Sequence, residues 1–242
     1  MRKAFWARLL VLVMLLTVFP LATTAQAADP LPPKLGSLSF PQSVKAGSSV
    51  TFNVVVQADA TIGLCCGGLT LTGPGGQELS TWLNRVGPSQ LSATLNLSPN
   101  MPTGAWKVTN LWFSDNDDQT TRLTESSSFK HVLTVTQSDK PVDTKAPELV
   151  SIVAPAEAQV GDPVVIKANV SDDLSGVKSV IVKVAPDSEK PRWTHSVELF
   201  PTSKAGEFSG TMLMDVLTMG GVDTQEIISV SLKDQAGNGV VL

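Results

Sequence analysis

Oxygen-bearing side chains crowd into a few short stretches of this 242-residue chain. Asp172 stands beside Asp173, Asp234 precedes Asn238 by four positions, and Asp115, Asn116, Asp117 and Asp118 form an unbroken run. Calcium takes about 6–8 hard oxygen ligands at roughly 2.3–2.6 Å, so converging carboxylates are the donor set it needs. It is the one cofactor the residues suggest, with Asp143, Asp172, Asp173, Asp234 and Asn238 as one candidate set and Asp59, Asp115 and Asp117 as another. The same Asp and Asn residues can instead fold back as Asx-turns and cap loop N–H groups.

Cys65 and Cys66 are adjacent and are the only cysteines. Neighbouring Cα atoms sit about 3.8 Å apart, whereas an ordinary disulfide spans about 4.4–6.8 Å. A bridge between them is therefore a strained eight-membered ring, and no third cysteine offers another partner. Three readings stay open. The pair forms a vicinal disulfide after export, or it packs as two small side chains, or it serves a metal or a second chain. Two thiolates alone make an incomplete zinc site.

An enzyme needs a convergent acid, base or nucleophile. Beyond the leader the only histidines are His131 and His195, far apart in sequence, and the chain has no Tyr. G-x-S-x-G, H-E-x-x-H and a phosphate-binding glycine loop are all missing. The expectation is a non-enzymatic protein.

Residues 1–27 read as a signal peptide: Arg2, Lys3 and Arg8, then the apolar run from Leu9, broken by Pro20, and the small-x-small site Ala25-Gln26-Ala27. The run is too short to span a bilayer comfortably. Three of the 18 Lys+Arg lie in this leader, which leaves 15 against 22 acidic residues, a balance of −7. That surface excludes nucleic acid, which needs clustered Lys and Arg, and disfavours anionic lipid. The expected location is secreted, extracellular or at the cell surface, with the periplasm also open, and no membrane insertion after cleavage.

The segment Pro33-Lys34-Leu35-Gly36-Ser37-Leu38-Ser39-Phe40-Pro41 reappears as Pro147-Glu148-Leu149-Val150-Ser151-Ile152-Val153-Ala154-Pro155. The offset of 114 carries Gly47 onto Gly161, Val50 onto Val164, Phe52 onto Ile166, Val56 onto Val170 and Asp59 onto Asp173. Later, Leu111–Asp115 matches Val230–Asp234. Val164, Ile166, Ala168 and Val170 alternate onto one face, as in a half-buried strand, and Gly161-Asp162, Asp173 to Gly176 and Ala236-Gly237-Asn238 read as turns. Short strands at even spacing with no helical periodicity make an all-β sandwich or barrel. The expected organisation is a signal peptide over 1–27, one domain over 31–137, a linker over 138–146 and a second domain over 147–242.

Asp143-Thr144-Lys145-Ala146-Pro147, Val160-Gly161-Asp162, Val170 to Val177 and Lys233-Asp234-Gln235-Ala236-Gly237-Asn238 resemble the bacterial Ig-like repeats of secreted and cell-surface proteins. The resemblance covers nearly all of Lys145 to Leu242 and is weaker over Pro33 to Gln137. It implies two tandem immunoglobulin-like Greek-key β-sandwiches without an inter-sheet disulfide. In such a sandwich the loops after the second and sixth strands share one end. That would bring Asp172 and Asp173 near Asp234, Asn238 and the linker's Asp143, and Asp59 near Asp115 to Asp118. An ion there would stiffen the join.

Strict alternation counted back from Asp115 puts Leu111 and Phe113 on the core side and Trp106, Val108 and Trp112 on the opposite face. Trp106 and Trp112 are therefore a candidate ligand surface, able to stack on sugars or dock a partner. The alternative has Trp106 covering the sandwich edge and Trp112 packing under a loop, with Trp82 and Trp193 as packing residues. The functional expectation is an adhesion, binding or spacing module whose partner is an extracellular protein or glycan. Two rivals are a carbohydrate-binding accessory protein that uses the Trp face, and the non-catalytic portion of a larger surface enzyme.

Overall fold

Alternation of apolar and polar residues is the pattern of a strand with one face on a core. Ser49–Gln57 and Pro163–Ser171 both carry it: Val50, Phe52, Val54 and Val56 are buried in one, and Val164, Ile166, Ala168 and Val170 in the other. The computed structural model describes residues 31–58, 62–126, 128–137, 140–159, 161–186, 194–213 and 225–242. Among them are sixteen strands and no helix, hence none long and apolar enough to cross a membrane. Residues 1–27, expected to be a signal peptide, lie outside the described residues, as do Asp59 and Trp193.

Nine strands form the first sheet: β1 (Lys34–Ser39), β2 (Ser43–Lys45), β3 (Ser49–Gln57), β4 (Leu64–Thr72), β5 (Glu78–Gly87), β6 (Gln90–Asn96), β7 (Gly104–Asp115), β8 (Thr120–Thr124) and β9 (Val132–Thr136). They run in the order β1-β3-β6-β5-β4-β7-β9-β2, with β8 on β7. Seven form the second: β10 (Glu148–Val153), β11 (Pro163–Ser171), β12 (Val177–Ala185), β13 (His195–Pro201), β14 (Glu207–Leu213), β15 (Glu226–Asp234) and β16 (Gly239–Val241). Their order, β10-β11-β14-β13-β12-β15-β16, repeats the first seven of the nine.

Each sheet curls because one strand serves two neighbours in turn. β5 pairs with β4 through Glu78–Leu83 and then with β6 through Asn84–Gly87. β13 does the same between β12 and β14. The inner faces thus close over separate cores, the arrangement of a β-sandwich. Trp106, Phe52 and Phe113 fill the first core, while the second is mostly Val with Ile166, Leu199 and Phe208.

The repeat extends to irregularities. β1 slips register against β3 between Leu35 and Ser37, and β10 slips against β11 between Leu149 and Ser151. Those positions are 114 apart, so the second sheet reproduces even the bulge of the first. Gly47 and Gly161, also 114 apart, both sit at positive φ, 84° and 95°.

The segment between the sheets is clamped. Asn100 donates to the Pro141 carbonyl at 2.8 Å, and the Asp143 N–H donates to the Asn100 carbonyl at 2.7 Å. Glu78 donates its N–H to the Gly237 carbonyl at 2.8 Å, and Ala236, fully buried, packs with the first core although it follows β15. Residues 31–242 form one compact unit.

Candidate functional site

β15 ends at Asp234, and the following turn folds back onto that side chain. Its Oδ1 accepts from the Asn238 N–H at 2.8 Å and its Oδ2 from the Asn238 amide at 2.7 Å. The linker delivers Asp143 to the same place. Its Oδ1 accepts from Lys145 N–H at 3.1 Å, its Oδ2 from Ser175 N–H at 2.9 Å, and its carbonyl from the Asn238 amide at 3.2 Å. From the loop after β11 comes Asp172, whose Oδ2 accepts from Leu174 and Gly176 N–H at 3.1 and 2.6 Å.

One oxygen from each of Asp143, Asp172 and Asp234 falls within 4.8 Å of the others. Asp143 and Asp234 are buried, at 2% and 0% exposure. Asp172 Oδ1 is itself buried and has no hydrogen-bond partner. Among the described residues none of the three carboxylates is ion-paired. Burial pushes the Asp234 carboxyl above the ordinary carboxylate range; the Asn238 donors pull it down, and the charge of Asp143 pushes it further up. An orphaned buried oxygen among crowded carboxylates costs free energy that a cation would remove. The 4.8 Å spacing suits two ligands of one ion at about 2.3–2.6 Å each. Three carboxylates would hold a calcium ion, and carbonyls and water would complete its shell.

Asp173 does not join them. It turns outward to an exposed ion pair with Lys145 at 2.7 Å, an interaction worth little in water. In the first sheet, Asp115 Oδ1 accepts from the N–H groups of Asp117 and Gln119 at 3.0 and 2.9 Å, closing a loop of the Asx kind. Asp117 is exposed, and no metal-competent group forms around Asp115 among the described residues. The position 114 before Asp172 is Ala58, so the first copy lacks the residue that supplies the orphaned oxygen.

Trp106 corrects the expected face. β7 carries a bulge: Thr70 faces Asn110 and Leu71 faces Val108, which leaves Thr109 extra. One extra residue moves every preceding side chain to the other face. Trp106 and Val108 therefore point into the core, and Trp106 has no exposure, its Nε1 donating to the Pro102 carbonyl at 2.9 Å. Trp112, beyond the bulge, stays outward and half-buried.

Trp82, expected to pack inside, is 68% exposed and meets Trp112 edge to face, with ring centroids 5.4 Å apart. The signal was in β5, where Leu79, Thr81 and Leu83 point in and Ser80 and Trp82 must point out.

Cys65 and Cys66 also sit at a bulge, where β4 skips from Leu64 opposite Asp115 to Cys66 opposite Ser114. Regular strand neighbours point to opposite faces; here both Sγ atoms lie on one side, 2.6 Å apart as thiols. The hydrogen bond from Cys65, with some burial, pushes the Cys66 thiol up to about 11.

No protein-family model and no curated protein matches the chain. Among solved structures it is similar to the tetra-tandem repeat in the extending region of a large adhesion protein. The identity is 13% and the TM-score 0.29, over 88% of this chain and 48% of that one. The chain thus spans about half the length of that structure.

Proposed function

We propose that this chain is an exported, non-enzymatic stalk for adhesion, binding or spacing, built of two Ig-like Greek-key units whose join is stiffened by calcium. The observation that carries the reading is the meeting of Asp143, Asp172 and Asp234 where the linker enters the second sheet, with the buried Asp172 Oδ1 lacking any partner. Linker and loop are already clamped there by protein hydrogen bonds. An ion bridging a linker carboxylate to two loop carboxylates would therefore lock a join that is nearly preformed.

Absence of catalysis is supported by what the two histidines do. His131 lies tilted against Phe129 and Phe40, with ring centroids 5.0 and 6.2 Å apart, and His195 lies exposed on the other sheet. Export is supported by the leader pattern in residues 1–27.

The test is a thermal melt with calorimetry after chelation and calcium return. Millimolar calcium should raise Tm by several degrees, and Asp172→Asn should abolish the rise while leaving the metal-free protein folded. An unchanged Tm with no calorimetric heat would reject the calcium-stiffened join.

A further inference from the structure

Two glycines interrupt β4, a strand paired on both sides. Glycine inside a strand weakens it, so a close approach has to explain its presence. At Gly67 a Cβ would meet the Trp112 carbonyl oxygen at 2.7 Å. At Gly68 it would meet the Trp112 indole itself, Nε1 at 2.4 Å and Cε2 at 2.8 Å. Gly68 is therefore the seat on which the Trp112 ring rests, and Trp112 in turn props Trp82 edge to face. The strand gives up stability to hold a Trp pair whose outer member stays 68% exposed.

Beside the pair lies an open groove of about 240 Å³, lined by Gly68, Thr70, Ser80, Thr81, Trp82 and Trp112 together with the buried Leu69. It is smaller than the roughly 300–1,000 Å³ of drug-sized sites, so it suits one ring rather than an elaborate ligand. No lining residue is charged. Thr70 and Ser80 present paired hydroxyls 3.1 Å apart. Neither indole N–H has an acceptor among the described residues. β4, the strand beneath the pair, is ladder-paired on both sides, to β5 and to β7, so the Trp pair stands on a sheet face and not on a free strand.

We propose that Trp82 and Trp112 form a subsite for a neutral sugar ring on the first sheet, a function beyond the stalk itself. A pyranose has a face of polarised C–H groups and a rim of hydroxyls. The C–H face meets the electron-rich face of the Trp82 indole. The rim meets the Thr70 and Ser80 hydroxyls, which donate and accept, and the indole N–H groups, which donate. A neutral ligand matches a groove without charge, and an open groove matches an internal unit of a longer glycan.

The test uses the full purified chain with chelator present, so that the outcome is independent of any ion at the join. Tryptophan fluorescence and calorimetry are read against neutral hexasaccharides: cellohexaose, chitohexaose, xylohexaose, maltohexaose and mannohexaose. At least one should bind, with affinity reduced about tenfold or more by Trp82→Ala, the loss of an aromatic stack. Gly68→Ala, which drives a Cβ into the Trp112 ring, should also reduce it, while Phe200→Ala, removing an exposed aromatic on the other sheet, should not. The proposal is overturned if no hexasaccharide binds, or if binding survives Trp82→Ala. It is likewise overturned if Trp82 instead mediates self-association in sedimentation, or binds a proline-rich peptide such as decaproline.

Discussion

The turn after β7 and the turn after β15 are one piece of backbone used twice. Asp115 and Asp234 each donate their N–H to the carbonyl of the residue four positions on, at 3.1 and 3.0 Å, and each accepts that residue's N–H at Oδ1. Asn116 and Gln235 each donate to a positive-φ glycine, Gly63 and Gly176. The residue three positions on is left-handed in both, Asp118 at 61° and Gly237 at 96°. What differs is the surroundings. In the first sheet the tip is exposed and carries Asn116, Asp117 and Asp118; in the second, Ala236 and Gly237 are buried against the first sheet. An identical scaffold becomes a free end or a socket joint according to two side chains.

Exchanging those side chains should break the comparison most. Ala236→Asp gives the second tip the residue of the first and drives a charge into a site with no exposure. The expected cost is about 3 kcal/mol or more in denaturant melts, capped by the worth of the join, because the sheets undock instead and scattering then reports a looser particle. Asp117→Ala, the reverse change, should stay within about 0.5 kcal/mol on an exposed loop.

Gly237→Val is the next step down. A Cβ there adds left-handed strain and meets Gln77 Cβ at 3.2 Å and Glu78 N at 3.3 Å. About 2 kcal/mol should be lost. Its counterpart Asp118→Gly should be close to neutral. Relief of the left-handed backbone, about 1 kcal/mol, is offset by the greater freedom of glycine in the unfolded chain. Equal effects at the two positions would mean that the join contributes nothing.

Calcium should then separate the tips by composition. At ten times its Kd the ion should add about 1.4 kcal/mol. Asp143→Asn should abolish that gain, whereas Asp115→Asn should lower stability without altering the calcium increment.

Much of this was legible in the residues. The 114-residue offset carried the positions of Val50, Phe52 and Val56 onto Val164, Ile166 and Val170, because a period-two pattern survives whatever surrounds it. That Asp172 and Asp173 would approach Asp234 and Asp143 was expected only through the resemblance to Ig-like repeats, and the structure brings Asp172 but not Asp173 to the other two. Three things were not legible. The Thr109 bulge in β7 reverses the face of Trp106, and a bulge there leaves the composition of the strand unchanged. Ala236 in a turn reads as solvent-facing until the core of the first sheet takes it in. Asp172 and Asp173 are chemically alike, and only the loop path decides which turns inward and which pairs with Lys145.

The smallest expected effect concerns the first tip alone, since the second sheet has no cysteine. With its pKa pushed up to about 11, Cys66 holds its proton in the folded chain. A raised thiol pKa means that the neutral form is favoured by folding; that preference is complete below the ordinary value of 9.0 and is lost as pH rises through 11. At pH 8 Cys66 of the reduced chain should therefore be alkylated by iodoacetamide about a hundredfold more slowly than an unperturbed thiol. The lag should vanish in denaturant, or as pH approaches 11. In Cys65→Ser, where a hydroxyl replaces the thiol beside it, the lag should shrink. Equal rates at pH 8 in the folded chain would show that the two Sγ atoms do not share a proton, and that the β4 bulge leaves each thiol to solvent as in any exposed loop.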